Sequence, residues 1–226
     1  MVVFSTGEPR LSAAEVGRIR AGGRRASLDH GNVLTLEGTS ADKVFLVTHG
    51  VVKVSSVSAA GGFKHLAIRG PGQLVGEFAC IVGGTRSGTA VAVTDVSAWE
   101  IPADRFLHTL RSDPALCFAV LRIIVGRVRE SDGRIGELGE FSASDRVVRL
   151  LARLGASCAE HDGPAAPVTV PVDQSELAGC AGVARETVSR TLTALARHGM
   201  AHGRRGRVVI DDLPALIRRA QETEGR

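Results

Sequence analysis

The stretch that most constrains this chain is Val183–Arg197, which reads V-A-R-E-T-V-S-R-T-L-T-A-L-A-R. Its residues Val188, Leu192 and Leu195 recur at i, i+4 and i+7, so as a helix the segment offers one apolar stripe to a core. Arg185, Glu186, Ser189 and Arg190 then project from the other side. That polar set suits the edges of base pairs: arginine pairs with guanine O6 and N7 through two hydrogen bonds, and glutamate accepts from cytosine N4. The residues before it supply a partner helix. Asp173-Gln174-Ser175-Glu176 has the form of a capping box, with Asp as acceptor and Glu at the third helical position. A short helix through Cys180, a turn at Gly182 and then the arginine-bearing helix make a helix-turn-helix. Gly199 stands where a C-terminal cap belongs. Met200–Ile210 has the form of a hairpin carrying Arg204, Arg205 and Arg207 around Gly203 and Gly206, a wing that would lie against phosphates. An ordinary amphipathic helix with a solvated arginine face would explain the helix, but not the cap, the turn and the basic hairpin together.

Charge is distributed, not general. The 226 residues have a formal net charge of only +4, which excludes a polybasic binder and leaves room for two domains. Arg185, Arg190, Arg197, Arg204, Arg205 and Arg207 nevertheless face only Asp173, Glu176 and Glu186 across residues 173–210, a local basic stripe. Lysine is confined to Lys43, Lys53 and Lys64 while arginine, alanine, glycine and valine are plentiful, which suggests a GC-rich bacterial genome. Cys80, Cys117, Cys158 and Cys180 are too widely spaced for a metal or iron–sulfur site. The opening MVVFSTGEPR lacks the basic and apolar regions of a signal peptide. No stretch approaches the roughly 20 apolar residues of a membrane span. The expectation is a soluble cytoplasmic protein with reduced thiols, no metal and no membrane partner.

The N-terminal half reads as β-structure. Val33–Leu36, Val44–Thr48, Val51–Val57, Phe63–Ile68, Thr89–Val93 and Val96–Ile101 are candidate strands, with turns at His49-Gly50 and Ala60-Gly61-Gly62 and a breaker at Gly70-Pro71-Gly72. One segment departs from this pattern: Gly76-Glu77-Phe78-Ala79-Cys80-Ile81-Val82-Gly83-Gly84-Thr85-Arg86-Ser87-Gly88-Thr89-Ala90. Its glutamate and arginine bracket a short helical turn whose N–H groups suit an anion, with the arginine placed to close on a phosphate. A surface loop with an incidental Glu77–Arg86 ion pair is the plainer alternative. Neither reading contains a nucleophile, so catalysis is not expected.

This segment resembles the phosphate-binding cassette of cyclic-nucleotide-binding domains, G-E-[L]-A followed by R-[S/T/A]-A. Gly31–Val54 resembles the opening strands of the same domain, and the R-E-T-V-S-R of Arg185–Arg190 resembles the recognition helix of the CRP/FNR family. The likeness covers nearly the whole chain, which is identified as a member of that family. It implies an α+β fold: a cyclic-nucleotide-binding-like β-roll in 1–112, a dimerisation helix in 113–140 and a winged helix-turn-helix DNA-binding domain in 141–226. By the same resemblance Glu77 would hold a ribose 2′-hydroxyl and Arg86 and Ser87 a cyclic phosphate, with Gly76 and Phe78 lining the cassette. The effector implied is cAMP, with cGMP or no nucleotide as alternatives. Phe78 replaces the usual leucine, and Gly88 the usual alanine, which would loosen the loop.

Asp113-Pro114 is a good helix start. Cys117, Leu121, Ile124, Val128, Ser131, Ile135 and Leu138 follow at alternating 4,3 spacing, a seam that predicts a parallel homodimer through the 113–140 helix. A helix packed only on its own β-domain is the alternative. By resemblance Arg127, Ser131 and Asp132 stand where the family contacts the base, and Asp132, an acceptor when ionised, suits the adenine 6-amino group or the guanine 1-NH and 2-amino groups equally. Gly126, Gly133 and Gly136 make this helix marginal, with a hinge near Glu140–Ser144. A two-fold dimer would read double-stranded DNA at a pseudo-palindromic operator. Arg185, Glu186 and Arg190 would read bases, Ser189 would add a backbone or base contact, and Asp173, Gln174, Arg204, Arg205 and Arg207 would complete the interface. Ala184 replaces a common N-cap serine, and RNA polymerase is the implied partner at the promoter.

Overall fold

A computed structural model describes residues 10–58, 61, 63–162 and 167–222. The sequence readings of MVVFSTGEPR and of Ala60 and Gly62 as turn residues fall largely or wholly outside these, as do the side chains of Ile135 and Leu138 in the predicted seam. The chain divides into two compact units, one of residues 10–56 with Ala67–Ser131, the other of Asp132 onward with Val57–Leu66.

In the first unit, α1 (Ala13–Arg20) precedes an all-antiparallel two-sheet roll. Its strands are β1 (Arg24–Leu28), β2 (Val33–Thr35), β3 (Lys43–His49), β4 (Val52–Val57), β5 (Phe63–Arg69), β6 (Leu74–Val75), β7 (Thr89–Ala92) and β8 (Val96–Pro102), of which Val57 and Phe63–Leu66 group with the other unit. One sheet has the order β1-β8-β3-β6 and the other β2-β7-β4-β5. Both inner faces close on Leu34, Phe45, Val47, Val52, Val75, Ala90, Ala92, Val96 and Ala98. The next residues along the same strands, Val44, Leu46 and Ile101, point the other way and are equally buried. They pack under α1, α3 (Ala103–Ser112) and the start of α4 (Pro114–Glu140), so β3 is apolar on both faces, with Val44 to Val47 all buried. The turn after β3 depends on Gly50: at φ 80° a Cβ there would collide with the Asp95 carbonyl.

The long helix starts as its sequence predicts. Asp113 accepts from the Leu116 amide at 3.0 Å and Pro114 opens the first turn. Its exposed face departs from the 4,3 seam read from the sequence at one position, Ile124. Ile124 packs on its own domain, alongside buried Leu116, Ala119, Val120 and Ile123. Among the described side chains of this helix the large exposed apolar ones are Phe118, Leu121, Val125 and Val128. Cys117 and Phe118 are both exposed, whereas of the adjacent pair Ile124/Val125 it is Ile124 that turns to the core and Val125 that is exposed. Cys117, Leu121 and Val128 of the predicted seam are thus exposed, and among these positions only Ile124 departs from it.

In the second unit, α5 (Ala143–Asp162) is the central element, touching β9 (Val168–Val170), α6 (Gln174–Ala181), α7 (Arg185–Arg197) and α8 (Leu213–Gln221). β10 (Ala201–Arg204) and β11 (Arg207–Ile210) form the hairpin and β9 adds a third antiparallel strand. A buried ionic cluster fixes the end of α4 within this unit. Arg153 holds the Glu137 carboxylate at 2.6 and 3.0 Å, and Arg149 Nε adds 2.9 Å. Arg149 is itself buried, stacks on the Phe141 ring at 4.2 Å and donates to the Ala220 carbonyl in α8 at 3.0 Å. One carboxylate thus ties α4, α5 and α8 together.

Burial raises the pKa of Glu137, but the hydrogen bonds and charges of Arg153 and Arg149 outweigh it and hold the carboxyl below its usual value. Its contribution is complete above the unfolded-state pKa near 4 and is lost as pH falls through the lower folded value. We expect Glu137→Gln to lower stability at neutral pH by about 3 kcal/mol, as for a buried ion pair deprived of one partner. The deficit should shrink in acid. Thermal melts of parent and variant from pH 7 to pH 3 check this, and a deficit that does not change with pH would refute the assignment.

Candidate functional site

The cassette segment folds around β6 and α2 (Glu77–Val82). Gly76 caps α2 in the left-handed region at φ 87°, and Arg86 sits so close behind it that a Cβ at 76 would overlap the guanidinium. Glu77, in the first turn, is only 1% exposed. A carboxylate so deep needs a cation, and it finds Arg127 of α4, fifty residues on, in a close buried ion pair. Arg127 also donates to the Leu74 carbonyl at 3.1 Å, which joins α4 to β6 as well as to α2. Ser131, one turn further along α4, donates to the Arg127 carbonyl at 3.0 Å.

Arg86 is a further buried charge of the cassette, at 4% exposure. Its guanidinium donates to the Lys43 carbonyl at 2.6 Å, to the Gly76 carbonyl at 2.9 Å and to the Asp42 carboxylate at 3.3 Å. The incidental Glu77–Arg86 pair considered from the sequence does not form; each residue has a different charged partner. Backbone bonds between Arg86 and Thr39, and between Gly38 and Arg86, fasten the cassette loop to the β2–β3 turn. Cys80 lies beside this arginine. Burial pushes its thiol pKa up, only partly offset by the Arg86 charge. Ser87 is exposed, Gly76 and Phe78 are half-buried, and Asp132 is an exposed residue of the other unit.

Gly88 has a steric reason that the sequence did not disclose. A Cβ there would stand 2.9 Å from the Ser55 carbonyl of β4, so the glycine permits a close strand approach as well as loosening the loop. The sequence also missed Asp42 and the Lys43 carbonyl, since nothing local marks a backbone oxygen as the partner of an arginine forty-three residues away.

The second candidate surface lies on α6, α7 and the hairpin. Asp173 accepts from the amides of Ser175 and Glu176 at 2.7 and 2.8 Å, and Glu176 returns to the Asp173 amide at 2.8 Å, a complete capping box. The carboxylate of Asp173 is therefore engaged in capping. Gly182 ends α6 at φ 62° and Gly199 follows α7 at φ 65°. Val188, Leu192 and Leu195 are buried, each worth about 1.5–3 kcal/mol of apolar burial, with Thr191 between them. Arg185, Glu186, Ser189 and Arg190 are all exposed on the opposite side. Among the described residues Arg190 reaches only Thr187, at 3.4 Å. Ala184 leaves α7 without a side-chain cap, as its identity implied. Gly203 is set in the hairpin beside Leu192 and Gln174, and Arg204, Arg205 and Arg207 are exposed.

A roll with a buried Glu–Arg cassette, a long helix and a winged helix-turn-helix define a class: DNA-binding regulators with a nucleotide-type sensory domain. Comparison with known proteins agrees. Residues 25–113 match the cyclic nucleotide-binding domain and residues 145–219 the Crp-like helix-turn-helix domain. A cyclic AMP receptor protein of Thermus thermophilus is 30% identical over 193 residues, spanning 85% of this chain and 86% of its own. A CRP-like cAMP-activated global transcriptional regulator of Mycobacterium tuberculosis is 26% identical over 97% of this chain and 96% of its own. The structure of a CRP/FNR family transcriptional regulator, also from Thermus thermophilus, superposes with a TM-score of 0.67 at 27% identity, covering 88% of this chain and 98% of that one. The chain belongs to the CRP/FNR family of DNA-binding transcription regulators. Among the described residues no helix is long and apolar enough to cross a membrane.

Removing Arg127 alone should strand the Glu77 carboxylate. We expect Arg127→Ala to destabilise the first unit by about 3–5 kcal/mol, and the double change Glu77→Gln with Arg127→Met to recover much of that loss. The single tryptophan, Trp99 of β8, reports unfolding of this unit by fluorescence. A loss below about 1 kcal/mol, the range of exposed pairs, would contradict a structural ion pair.

Proposed function

We propose that this protein is a homodimeric regulator whose affinity for a pseudo-palindromic operator is set by a cyclic nucleotide, cAMP in the first instance, bound at the cassette. The observation that carries this reading is the Glu77–Arg127 pair, because it makes one residue of the cassette and one of the long helix dependent on each other. The donor set fits the ligand. Glu77 supplies an acceptor suited to a ribose hydroxyl, and Arg86, anchored on the carbonyl of the residue just before Glu77, supplies a guanidinium suited to a phosphate. Ser87, exposed at the end of the loop, is a further donor. Gly76 and Phe78 flank the cassette, and Ser131 and Asp132 further along α4 are the candidates for the base.

A hydroxyl donating to Glu77 alters the partners of Arg127, and a phosphate on Arg86 competes with the Lys43 and Asp42 oxygens. The ligand would thereby favour one placement of α4 over another, which is all that an effector can do. The exposed stripe Phe118, Leu121, Val125 and Val128 is the surface we assign to the second copy. DNA would then meet Arg185, Glu186, Ser189 and Arg190 at base edges. Arg204, Arg205 and Arg207 would lie on phosphates, with Asp173 and Gln174 at the start of α6 nearby. RNA polymerase is the partner such a regulator would engage from its operator.

A second reading, a regulator of this fold that ignores cyclic nucleotides, is favoured by one observation: Arg86 is almost wholly buried and already bonded to two carbonyls and a carboxylate. Calorimetric titration with cAMP and with cGMP decides between the two. We expect micromolar binding that weakens at least tenfold in Arg86→Lys, which keeps the charge but loses the two-pronged geometry. No heat with either nucleotide, and an unchanged melting temperature, would establish the second reading. For the DNA surface, Arg185→Ala or Arg190→Ala should each cost about 1–3 kcal/mol at one base position. Uniform weakening across operator sequences would instead make them phosphate contacts.

A further inference from the structure

We propose that His202 is a positioning residue for DNA: it holds the wing arginine Arg204 for a phosphate contact and is itself held by Asp211. Strand alternation puts the two side chains together. In β10, Ala201 is buried, His202 half-buried, Gly203 turned toward Leu192 and Gln174, and Arg204 exposed. His202 and Arg204 therefore share the outer face of the hairpin. In register, Arg204 stands directly opposite Arg207, and His202 opposite Val209, with Asp211 two residues further along β11's path on the same side.

Two contacts link these residues in a row. His202 Nδ1 lies 2.8 Å from Asp211 Oδ2, and Arg204 Nε lies 3.3 Å from His202 Nε2. A carboxylate accepts and does not donate, so the proton of the neutral ring is on Nδ1. That leaves the Nε2 lone pair to accept the Nε–H of Arg204. With Nε engaged, the two Nη groups of Arg204 remain as the edge that pairs with a phosphate. The opposition of Arg204 and Arg207 across the hairpin is unfavourable by itself, since like charges directly opposite repel. Placing both on the outer face of a hairpin is explicable where an anion lies between or beside them. Left to itself, Arg204 would relax away from Arg207; the His202 bond prevents that. Each member has its part: Asp211 sets the tautomer, His202 transmits the constraint and Arg204 makes the contact.

This role in DNA binding does not depend on which effector, if any, the cassette takes. A phosphate contact is independent of sequence, so the probe is a fluorescently labelled 30-base-pair duplex of arbitrary sequence. Its anisotropy is read with the full-length protein over a series of NaCl concentrations. Arg204→Ala should weaken binding about tenfold at low salt, the worth of one charge-assisted hydrogen bond. The slope of log K against log salt should become shallower by about 0.9 for each phosphate that is no longer neutralised. His202→Ala should reproduce most of that loss with an unchanged melting temperature. The double variant should bind no worse than Arg204→Ala alone, because His202 acts through Arg204. His202→Gln, whose amide oxygen can accept from Arg204 Nε, should restore part of the affinity. Additive losses in the double variant would overturn the proposal in favour of direct contact by His202. An unchanged His202→Ala, or a parent protein that does not bind the duplex, would overturn it outright.

Discussion

The buried pair of Glu77 and Arg127 is the constraint on which the first unit depends. A carboxylate at 1% exposure is not tolerable alone, and the cation that makes it so belongs to a helix fifty residues later. The folded form of the cassette therefore depends on α4. The apolar face of α4 supports the same dependence, since Leu116, Ala119, Val120 and Ile123 complete the core beneath β3. Packing alone would hold the helix near the roll; the ion pair and the Arg127–Leu74 bond fix its rotation.

Arg127 has a counterpart on the same helix. Within the second unit Glu137 is clasped by Arg149 and Arg153, and Arg149 in turn reaches α8. α4 thus carries one buried charge bound in each unit, ten residues apart. Between them lie Gly133 and Gly136, each about 1 kcal/mol poorer than alanine at forming helix. The weak stretch falls between two strong attachments. That is where a change in helix geometry costs least, and it coincides with the stretch that Ser131 and Asp132 open.

What the sequence revealed was mainly what depends on near neighbours. The Asp173–Glu176 cap, the Asp113–Pro114 start, the turns at Gly182 and Gly199 and six of the strands are set by residues within a few positions of one another, and they were legible. Three kinds of feature were not. Arg24–Leu28 and Leu74–Val75 carry little alternation and become strands only because β8 and β3 are there to pair with them. The seam of α4 was misplaced by one position at Ile124, because adjacent apolar residues satisfy two stripes and only the tertiary core chooses between them. Arg127 was read only as a contact to a ligand, and Arg86 as that or as the partner of Glu77, whereas in the folded chain Arg127 pairs with Glu77 and Arg86 with the Lys43 and Gly76 carbonyls and Asp42. Buried charges find those partners across the fold, and no spacing rule anticipates a carbonyl of β3 or a carboxylate of α2.

The partnered state of the cassette bears on how it would work as a sensor. A site that merely stood open would bind a ligand without altering anything else, and equal affinity for two conformations shifts neither. On the proposed reading, a nucleotide enters by exchange: its phosphate takes donors from the Lys43 and Asp42 oxygens, and its ribose takes a share of the carboxylate that holds Arg127. Affinity is lowered by what must be released, which argues for binding that is moderate rather than tight. Of the contacts given up, the Glu77–Arg127 pair is the one that sets the position of α4 on its own unit, so the exchange at Glu77 that weakens binding is what gives the ligand leverage on the helix. Gly88 fits this arrangement, since bringing the cassette loop against the Ser55 carbonyl leaves little room for the loop itself to absorb the change.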